Sequence, residues 1–217
     1  MNEAFRIETP KGEVSAAWHD GGKRASALVV AHGAGAGMDH PFIEGLCEEL
    51  ASAGVSALRF NFPYLGAGRK SPGSPKDATA AVVAAVEAAT TRTGGRPVFA
   101  GGKSYGGRMA SMAAADGMPA AGLVFLGYPL HAPGRSDQPR DEHLYTLKIP
   151  MLFLQGTKDP FADPDVLAGV LRKLGKRATY VPFDGAGHSF ERSRKDKPRD
   201  NAAQLVSSVV DFVEANS

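Results

Sequence analysis

The sequence predicts an α/β protein with a mostly parallel sheet, an antiparallel edge at its N-terminal end, and helices on both faces. Short apolar segments rich in valine and leucine alternate with segments of helical periodicity, which is typical of parallel strands joined by helices. Residues 4–8 and 14–18 alternate apolar and polar positions on either side of a turn that contains Pro10 and Gly12, which indicates an initial hairpin. Around Ser104, a strand pattern passes through a glycine-rich turn directly into a helical pattern.

The other elements follow the same alternation along the chain. Further strands are predicted at residues 26–31, 55–62, 97–100, 121–126, 151–155 and 178–183. Helices are predicted at residues 41–53, 77–91, 109–115, 163–174 and about 201–213. Irregular connections are predicted at residues 32–37, 65–75 and 128–148. The chain has no repeat and no linker, and we therefore expect residues 1–217 to form a single domain.

Composition excludes several classes of function. The formal net charge is +2, which is too small to indicate a nucleic-acid-binding protein. Neither a signal peptide nor an apolar run of about 18 residues, long enough to cross a membrane, is present, so a soluble cytoplasmic protein without membrane partners is the expectation. The single cysteine, Cys47, shares an apolar helical face with Leu46 and Leu50, which predicts a buried and inert thiol.

Residues 101–108 carry the motif with the clearest chemistry. Ser104 stands in a G-x-S-x-G sequence between Gly102 and Gly106, after a predicted strand and before a predicted helix. A sharp strand-to-helix turn strains the serine backbone and brings neighbouring elements close, so glycines are needed on both sides. The same motif also occurs by chance as an ordinary glycine-rich turn, but its flanks favour a nucleophile elbow, which presents a serine hydroxyl at the edge of a sheet.

A nucleophilic serine needs a histidine as base and a carboxylate that orients the histidine. On this architecture both partners should follow the serine in chain order, in loops after later strands. Asp159 comes just after the strand predicted at 151–155, and His188 follows the strand predicted at 178–183. We therefore predict the catalytic triad Ser104, Asp159 and His188.

Other acids and histidines fit these roles less well. Asp163 precedes a proline at a helix start and suits an N-cap, while Asp184 precedes a glycine and suits a turn. His131 and His143 lie in the long loop that should border the site, and their roles stay open. Together with Asp137 they lack tight metal-ligand spacing, so we predict neither a metal nor another cofactor.

The oxyanion hole should combine two backbone N–H groups. One belongs to Tyr105, directly after the serine, and the other to the loop after the strand predicted at 26–31. Ala34 is the preferred second donor, with Gly35 as the alternative one residue further on. His32, in the same loop but upstream of the serine, is interpreted as a support for the loop and not as the base.

Six segments together resemble a known family. They are residues 32–35, 59–64, 101–108, 127–131, 156–159 and 188–190. The sequence is similar to α/β-hydrolases of the dienelactone-hydrolase-like group, in particular the branch with testis-expressed and NSL-complex-subunit proteins and their bacterial relatives. The resemblance implies the α/β-hydrolase fold and the same triad, and from the length of the chain we expect no large lid domain. Dienelactone hydrolase itself uses cysteine as nucleophile, so its substrate does not carry over to this chain.

Two functional hypotheses of different class follow. The first is a serine hydrolase that cleaves a small ester or thioester through an acyl-enzyme intermediate. The second is a hydrolase-shaped interaction module with a vestigial triad, but the complete set of triad residues favours the enzyme. Candidate residues of the substrate pocket are Gly35, Asn61, Tyr64, Lys103, His131 and His143.

Charged residues near the motif suggest a substrate preference. Five cations could border the site, namely Arg59, Arg69, Lys70, Lys103 and Arg108. Since a cleft lined by one sign of charge attracts the opposite sign, they predict a preference for esters that carry a carboxylate or phosphate. The equally open alternative is that these side chains pair with acids or face solvent. The basic run at residues 192–197 is interpreted as a solvated face.

Overall fold

The computed structural model describes residues 2–192 and 201–217. Its strands are β1 (Asn2–Ile7), β2 (Val14–His19), β3 (Ala27–Ala31), β4 (Ser56–Phe60), β5 (Val98–Lys103), β6 (Leu123–Leu126), β7 (Met151–Gly156) and β8 (Ala178–Phe183). They form one eight-stranded sheet in the order β1-β2-β4-β3-β5-β6-β7-β8. β1 is antiparallel to β2, and β2 to β4, whereas all pairs from β4 to β8 are parallel. The predicted parallel sheet with an antiparallel edge is confirmed.

Six α-helices connect or flank these strands within the described residues. They are α1 (Pro41–Ser52), α2 (Pro63–Gly66), α3 (Pro75–Thr93), α4 (Tyr105–Ala115), α5 (Pro164–Leu174) and α6 (Ala202–Ala215). α3 begins two residues earlier than predicted because the Ser74 side chain caps it, accepting a hydrogen bond from the Lys76 N–H at 3.2 Å. Pro75 then occupies the first position, where its missing N–H costs nothing.

The sheet separates two hydrophobic cores, and β3 illustrates how. Ala27, Val29 and Ala31 belong to the core that also contains residues of α3, α4 and α5, whereas Leu28 and Val30 belong to the core that contains residues of α1 and α6. A strand that is apolar at every position therefore contributes to both cores, which is the pattern expected when helices cover both faces. Cys47 on α1 is fully buried, as predicted, and burial raises the pKa of its thiol to about 12.

Two regions differ from the sequence prediction. The connection predicted at 65–75 is preceded by α2, and the loop predicted at 128–148 contains a 3₁₀ turn at Glu142–Thr146. β5 also continues through both glycines to Lys103, directly before the serine.

Of the basic run at 192–197, only the exposed Arg192 belongs to the described residues, and the rest lies outside them. No helix among residues 2–192 and 201–217 is long and apolar enough to cross a membrane.

The parallel strands bring distant segments to one edge of the sheet. β5 leads to Ser104, β7 to Asp159, and β8 to His188. Because parallel strands end at the same edge, residues far apart in the chain become neighbours there.

Candidate active site

Ser104 stands at the turn between β5 and α4 in a strained backbone conformation. Its φ is 50° and its ψ is −112°, a combination that residues with side chains rarely adopt. The turn is tight because three neighbouring glycines have no Cβ. A Cβ would lie 1.9 Å from the Val124 oxygen at Gly101, and 2.0 and 2.4 Å from the Ala31 oxygen at Gly102 and Gly106. These contacts fix the serine hydroxyl above the sheet edge.

A continuous hydrogen-bond chain joins Ser104, His188 and Asp159. The Ser104 hydroxyl lies 2.8 Å from His188 Nε2, and His188 Nδ1 lies 2.7 Å from Asp159 Oδ2. The Asp159 side chain is fully buried, whereas the His188 side chain keeps 19% of its surface exposed. A buried carboxylate on one ring nitrogen fixes the tautomer in which the other nitrogen accepts the serine proton. The structure thus brings the three predicted residues together.

The Asp159 carboxylate has two further donors. Gln155 Nε2 donates to Oδ2 at 2.5 Å, and the Phe161 N–H donates to Oδ1 at 2.8 Å. Gln155 Oε1 in turn accepts from the Tyr128 N–H at 2.7 Å, so its amide joins the acid to the loop after β6. Gln155 was not predicted as a site residue. The sequence offers one signal for its role: Gln155 is a polar residue near the end of an otherwise apolar strand.

The His188 loop packs against the acid loop. The Phe161 ring lies 4.4 Å from the His188 ring, centroid to centroid. The Lys158 N–H donates to the Ala186 carbonyl at 2.9 Å, and a Cβ on Gly156 would lie 2.3 Å from the Gly187 oxygen. Phe161 is a second residue that the sequence analysis missed, and a phenylalanine in a loop gives no specific signal of such a contact.

The loop after β3 offers an N–H group next to the serine. The Gly35 N–H is engaged, since it donates to the Tyr64 hydroxyl at 3.2 Å. The Ala34 N–H has no protein acceptor among the described residues, and Ala34 lines the same cavity as Ser104. Of the two alternatives left by the sequence, the geometry therefore favours Ala34 as the partner of the Tyr105 N–H.

His32 supports this loop. Its Nε2 accepts from the Phe62 N–H at 3.1 Å, and its Nδ1 therefore donates to the Gly33 carbonyl at 2.8 Å. Burial lowers the pKa of His32, which keeps the ring neutral as both contacts require. A second support is Asn61, whose Oδ1 accepts from the Met38 N–H at 2.8 Å.

The cavity above Ser104 has a volume of about 390 Å³. Apolar side chains form much of its wall, namely Ala34, Ala36, Phe42, Ile43 and Phe161. His188 and Lys103 also face it. Of the six predicted pocket residues, Lys103 alone is among the described residues that line this cavity. Tyr64 and Tyr105 line a separate cavity of about 190 Å³.

His131 and His143 lie away from the cavity and have structural contacts. His131 Nε2 accepts from the Asp163 N–H at 2.8 Å, which links the long loop to the start of α5. His143 Nε2 lies 2.8 Å from the hydroxyl of the fully buried Ser111. Burial, followed by the nearby Arg108 charge, lowers the pKa of His143. Within the described residues no group of three or more histidine, cysteine or acidic side chains could hold a metal ion.

A mostly parallel sheet with a serine, a histidine and an acid at its carboxyl edge is the arrangement of an α/β-hydrolase. Residues 24–214 match the family of the alpha/beta hydrolase domain, and the chain belongs to that family. The predicted branch with testis-expressed and NSL-complex-subunit proteins stays a prediction.

Solved structures share the fold over almost the whole chain. One is a serine hydrolase of Xanthomonas campestris described as lacking a lid, which is 21% identical. The match covers 97% of this chain and 94% of the other, with a TM-score of 0.75. An esterase of Pyrococcus furiosus is 14% identical, covers 99% and 91%, and has a TM-score of 0.78. Dienelactone hydrolase of Anabaena variabilis is 19% identical, covers 100% and 96%, and has a TM-score of 0.74. At these identities the similarity establishes the fold alone.

Proposed function

We propose that this protein is a serine-dependent hydrolase of small carboxylic esters or thioesters. The observation that carries the proposal is the hydrogen-bond chain from buried Asp159 through His188 to Ser104, at the floor of a largely apolar cavity. A partly exposed serine hydrogen-bonded to a histidine that a carboxylate orients is the arrangement that nucleophilic catalysis requires.

In the proposed reaction, the Ser104 oxygen attacks the carbonyl carbon while His188 Nε2 takes the hydroxyl proton. The Ala34 and Tyr105 N–H groups donate to the oxyanion of the tetrahedral intermediate. His188 then returns the proton to the departing alcohol or thiol, leaving an acyl-enzyme. Water, deprotonated by the same histidine, hydrolyses this intermediate and regenerates the serine. Asp159 keeps its charge throughout and stabilises the imidazolium.

The molecule offers a second serine–histidine pair as an internal comparison. Ser111 and His143 are hydrogen-bonded like Ser104 and His188, but the Ser111 side chain is fully buried inside α4. Within the described residues His143 has no carboxylate hydrogen-bonded to its ring. Neither substrate access nor orientation of the base supports a nucleophilic role for Ser111.

The test uses 4-nitrophenyl butyrate as substrate and a fluorophosphonate as active-site label. Ser104→Ala and His188→Ala are each expected to lower turnover by about three or more powers of ten, and the double variant by little more than either alone. The label should attach to Ser104 and persist in Ser111→Ala, the matched control. Equal turnover by wild type and Ser104→Ala would contradict the proposal. Absence of turnover and labelling in the wild type would favour the alternative, an interaction module with a vestigial triad.

A further inference from the structure

The five cations that the sequence placed near the site have very different surroundings. Arg59 is only 3% exposed and lies apart from the cavity. Its guanidinium donates to Asp39 and, at 2.7 Å, to Glu44, while its Nε donates to His19 at 3.1 Å. These contacts satisfy its charge inside the protein, so Arg59 does not face the cavity as a free cation.

Three of the remaining cations also lie outside the cavity. Arg108 lies on α4 near His143, and its charge contributes to lowering the pKa of that histidine. Arg69 lines the smaller cavity, and Lys70 is exposed to solvent. Lys103 is thus the one predicted cation at the cavity above Ser104.

The Lys103 side chain runs under the site between two glycines. A Cβ on Gly33 would lie 3.6 Å from Lys103 Cγ. A Cβ on Gly127 would lie 3.3 Å from Lys103 Nζ and 3.5 Å from His188 Nδ1, so both nitrogens lie close to one point. The ammonium therefore lies beside the His188 ring.

The Lys103 ammonium has no carboxylate or carbonyl partner within hydrogen-bond distance in the described part of the chain. The nearest acids are committed elsewhere: Asp159 to His188 and Gln155, and Glu191 to the Ser189 N–H at 2.9 Å. Burial is the main cause that lowers the pKa of Lys103, to about 8, while Asp159 and Glu191 act in the opposite direction. The group is thus a partly buried cation without a partner among the described residues, a state that an anion would stabilise.

The rest of the cavity restricts which anion fits. Among its described lining residues, Lys103 carries the only lysine or arginine charge, and much of the wall is alanine, isoleucine and phenylalanine. A phosphate dianion would need more donors than one ammonium supplies, whereas a carboxylate on a short carbon chain matches one charge and apolar walls.

We propose that Lys103 is a specificity-determining residue that binds a carboxylate of the substrate, which makes short-chain esters carrying one carboxylate the preferred substrate class. This inference rests on the proposed hydrolase function. The carboxylate belongs either to the acyl chain or to the alcohol portion, and the experiment has one arm for each.

The experiment compares kcat/KM for esters matched in length. In the acyl arm, the 4-nitrophenyl monoester of glutaric acid is compared with 4-nitrophenyl pentanoate. In the alcohol arm, the butanoate ester of 4-hydroxybutanoate is compared with butyl butanoate. In at least one arm the wild type should prefer the carboxylate ester, and Lys103→Met should lower the ratio of kcat/KM for the carboxylate ester to kcat/KM for the neutral ester by about tenfold or more. Lys70→Met, which removes an exposed cation, should keep the wild-type preference.

A pH series gives an independent readout. The charged and titratable groups that face Lys103 are His188, Asp159 and Glu191. Since the lysine pKa is lowered to about 8, it loses its proton as the pH rises through that value, and the preference should decline between pH 7 and 9.5. Lys103→Arg keeps its charge in this range and should keep its preference at pH 9.5.

The outcomes separate the two proposals. Hydrolysis of neutral esters by the wild type, with no carboxylate preference in either arm, would overturn the role of Lys103 and leave the hydrolase intact. A preference that persists in Lys103→Met would do the same. A wild type that hydrolyses no ester at all would overturn both.

Discussion

At the residue scale, the serine turn depends on glycines that cannot be exchanged. Gly106 lies in the first turn of α4, two residues after Ser104, and a Cβ there would lie 2.4 Å from the Ala31 carbonyl oxygen. The obstacle is backbone of the central strand β3, which has no room to move. Gly45 offers a contrast within this protein, because it lies in α1 with no atom within 4 Å of a Cβ.

We predict opposite effects of the same chemical change at these two glycines. Gly106→Ala should lower the free energy of unfolding by about 1–3 kcal/mol through overpacking, and should abolish labelling of Ser104. Gly45→Ala should raise it by roughly 0.5–1 kcal/mol, because alanine loses less conformational entropy in a helix. Urea unfolding of both variants measures the difference. Equal stability of the two would contradict the crowding inferred at the turn.

At the element scale, the connection from β7 to α5 is fixed at several points. The His131 ring accepts a hydrogen bond from the Asp163 N–H. The backbone N–H of His131 donates to the Phe161 carbonyl at 3.1 Å. Asp163 Oδ1 caps α5 by accepting from the Asp165 N–H at 3.0 Å. These contacts hold the loop that carries Asp159 in place beside His188. Gln155 bonds to the Asp159 carboxylate directly.

We predict that Gln155→Leu lowers kcat by about tenfold to a hundredfold and changes KM little, because the Asp159 carboxylate loses a charge-assisted hydrogen bond. Gln155→Glu should lower kcat at least as much, since it places a second carboxylate beside that of Asp159. Gln138→Leu, on the exposed part of the 128–148 loop, serves as the control. Steady-state kinetics on a 4-nitrophenyl ester decide the matter. Unchanged kcat in both Gln155 variants would remove Gln155 from the site.

The contributions of sequence and structure are clearest among these elements. The succession of strands and helices along the chain and the chain order of serine, acid and histidine could be predicted, because glycine turns and apolar periodicity are local signals. The roles of Gln155 and Phe161 were missed, since they arise from contacts with Asp159, His188 and the loop after β6. Arg59 stayed an open candidate for substrate contact for a similar reason: a strand pattern does not reveal that Asp39 and Glu44 surround its charge.

At the scale of the whole molecule, two buried histidines and one partly buried histidine link stability to pH. Burial is the main cause that lowers the pKa of His19, His32 and His143. His19 also accepts a hydrogen bond from Arg59, which a protonated ring could not do. In the unfolded chain these residues regain an ordinary pKa near ~6.5 and bind protons that the native state does not.

We therefore predict that the free energy of unfolding falls as the pH drops from about 6.5 towards 5, before most carboxylates titrate. The sign follows from the unfolded state binding more protons in this window. His19→Gln and His143→Gln should each flatten the dependence, whatever their effect at pH 7.5. Urea titrations at half-unit pH intervals provide the measurement. A constant stability from pH 7.5 to 5 would show that these histidines are protonated in the native state as readily as in the unfolded chain.

Ser104, Asp159 and His188 follow three different strands, which has a consequence for the stability of the proposed site. Ser104 and His188 are 84 residues apart in sequence, and the histidine follows β8, which lies at the edge of the sheet and pairs only with β7. Edge strands open locally at a lower cost than central ones. Detachment of β8 alone would separate base from nucleophile while β3, β5 and the elbow stay folded. We therefore expect activity to be lost at a lower denaturant concentration than the one that unfolds the central sheet.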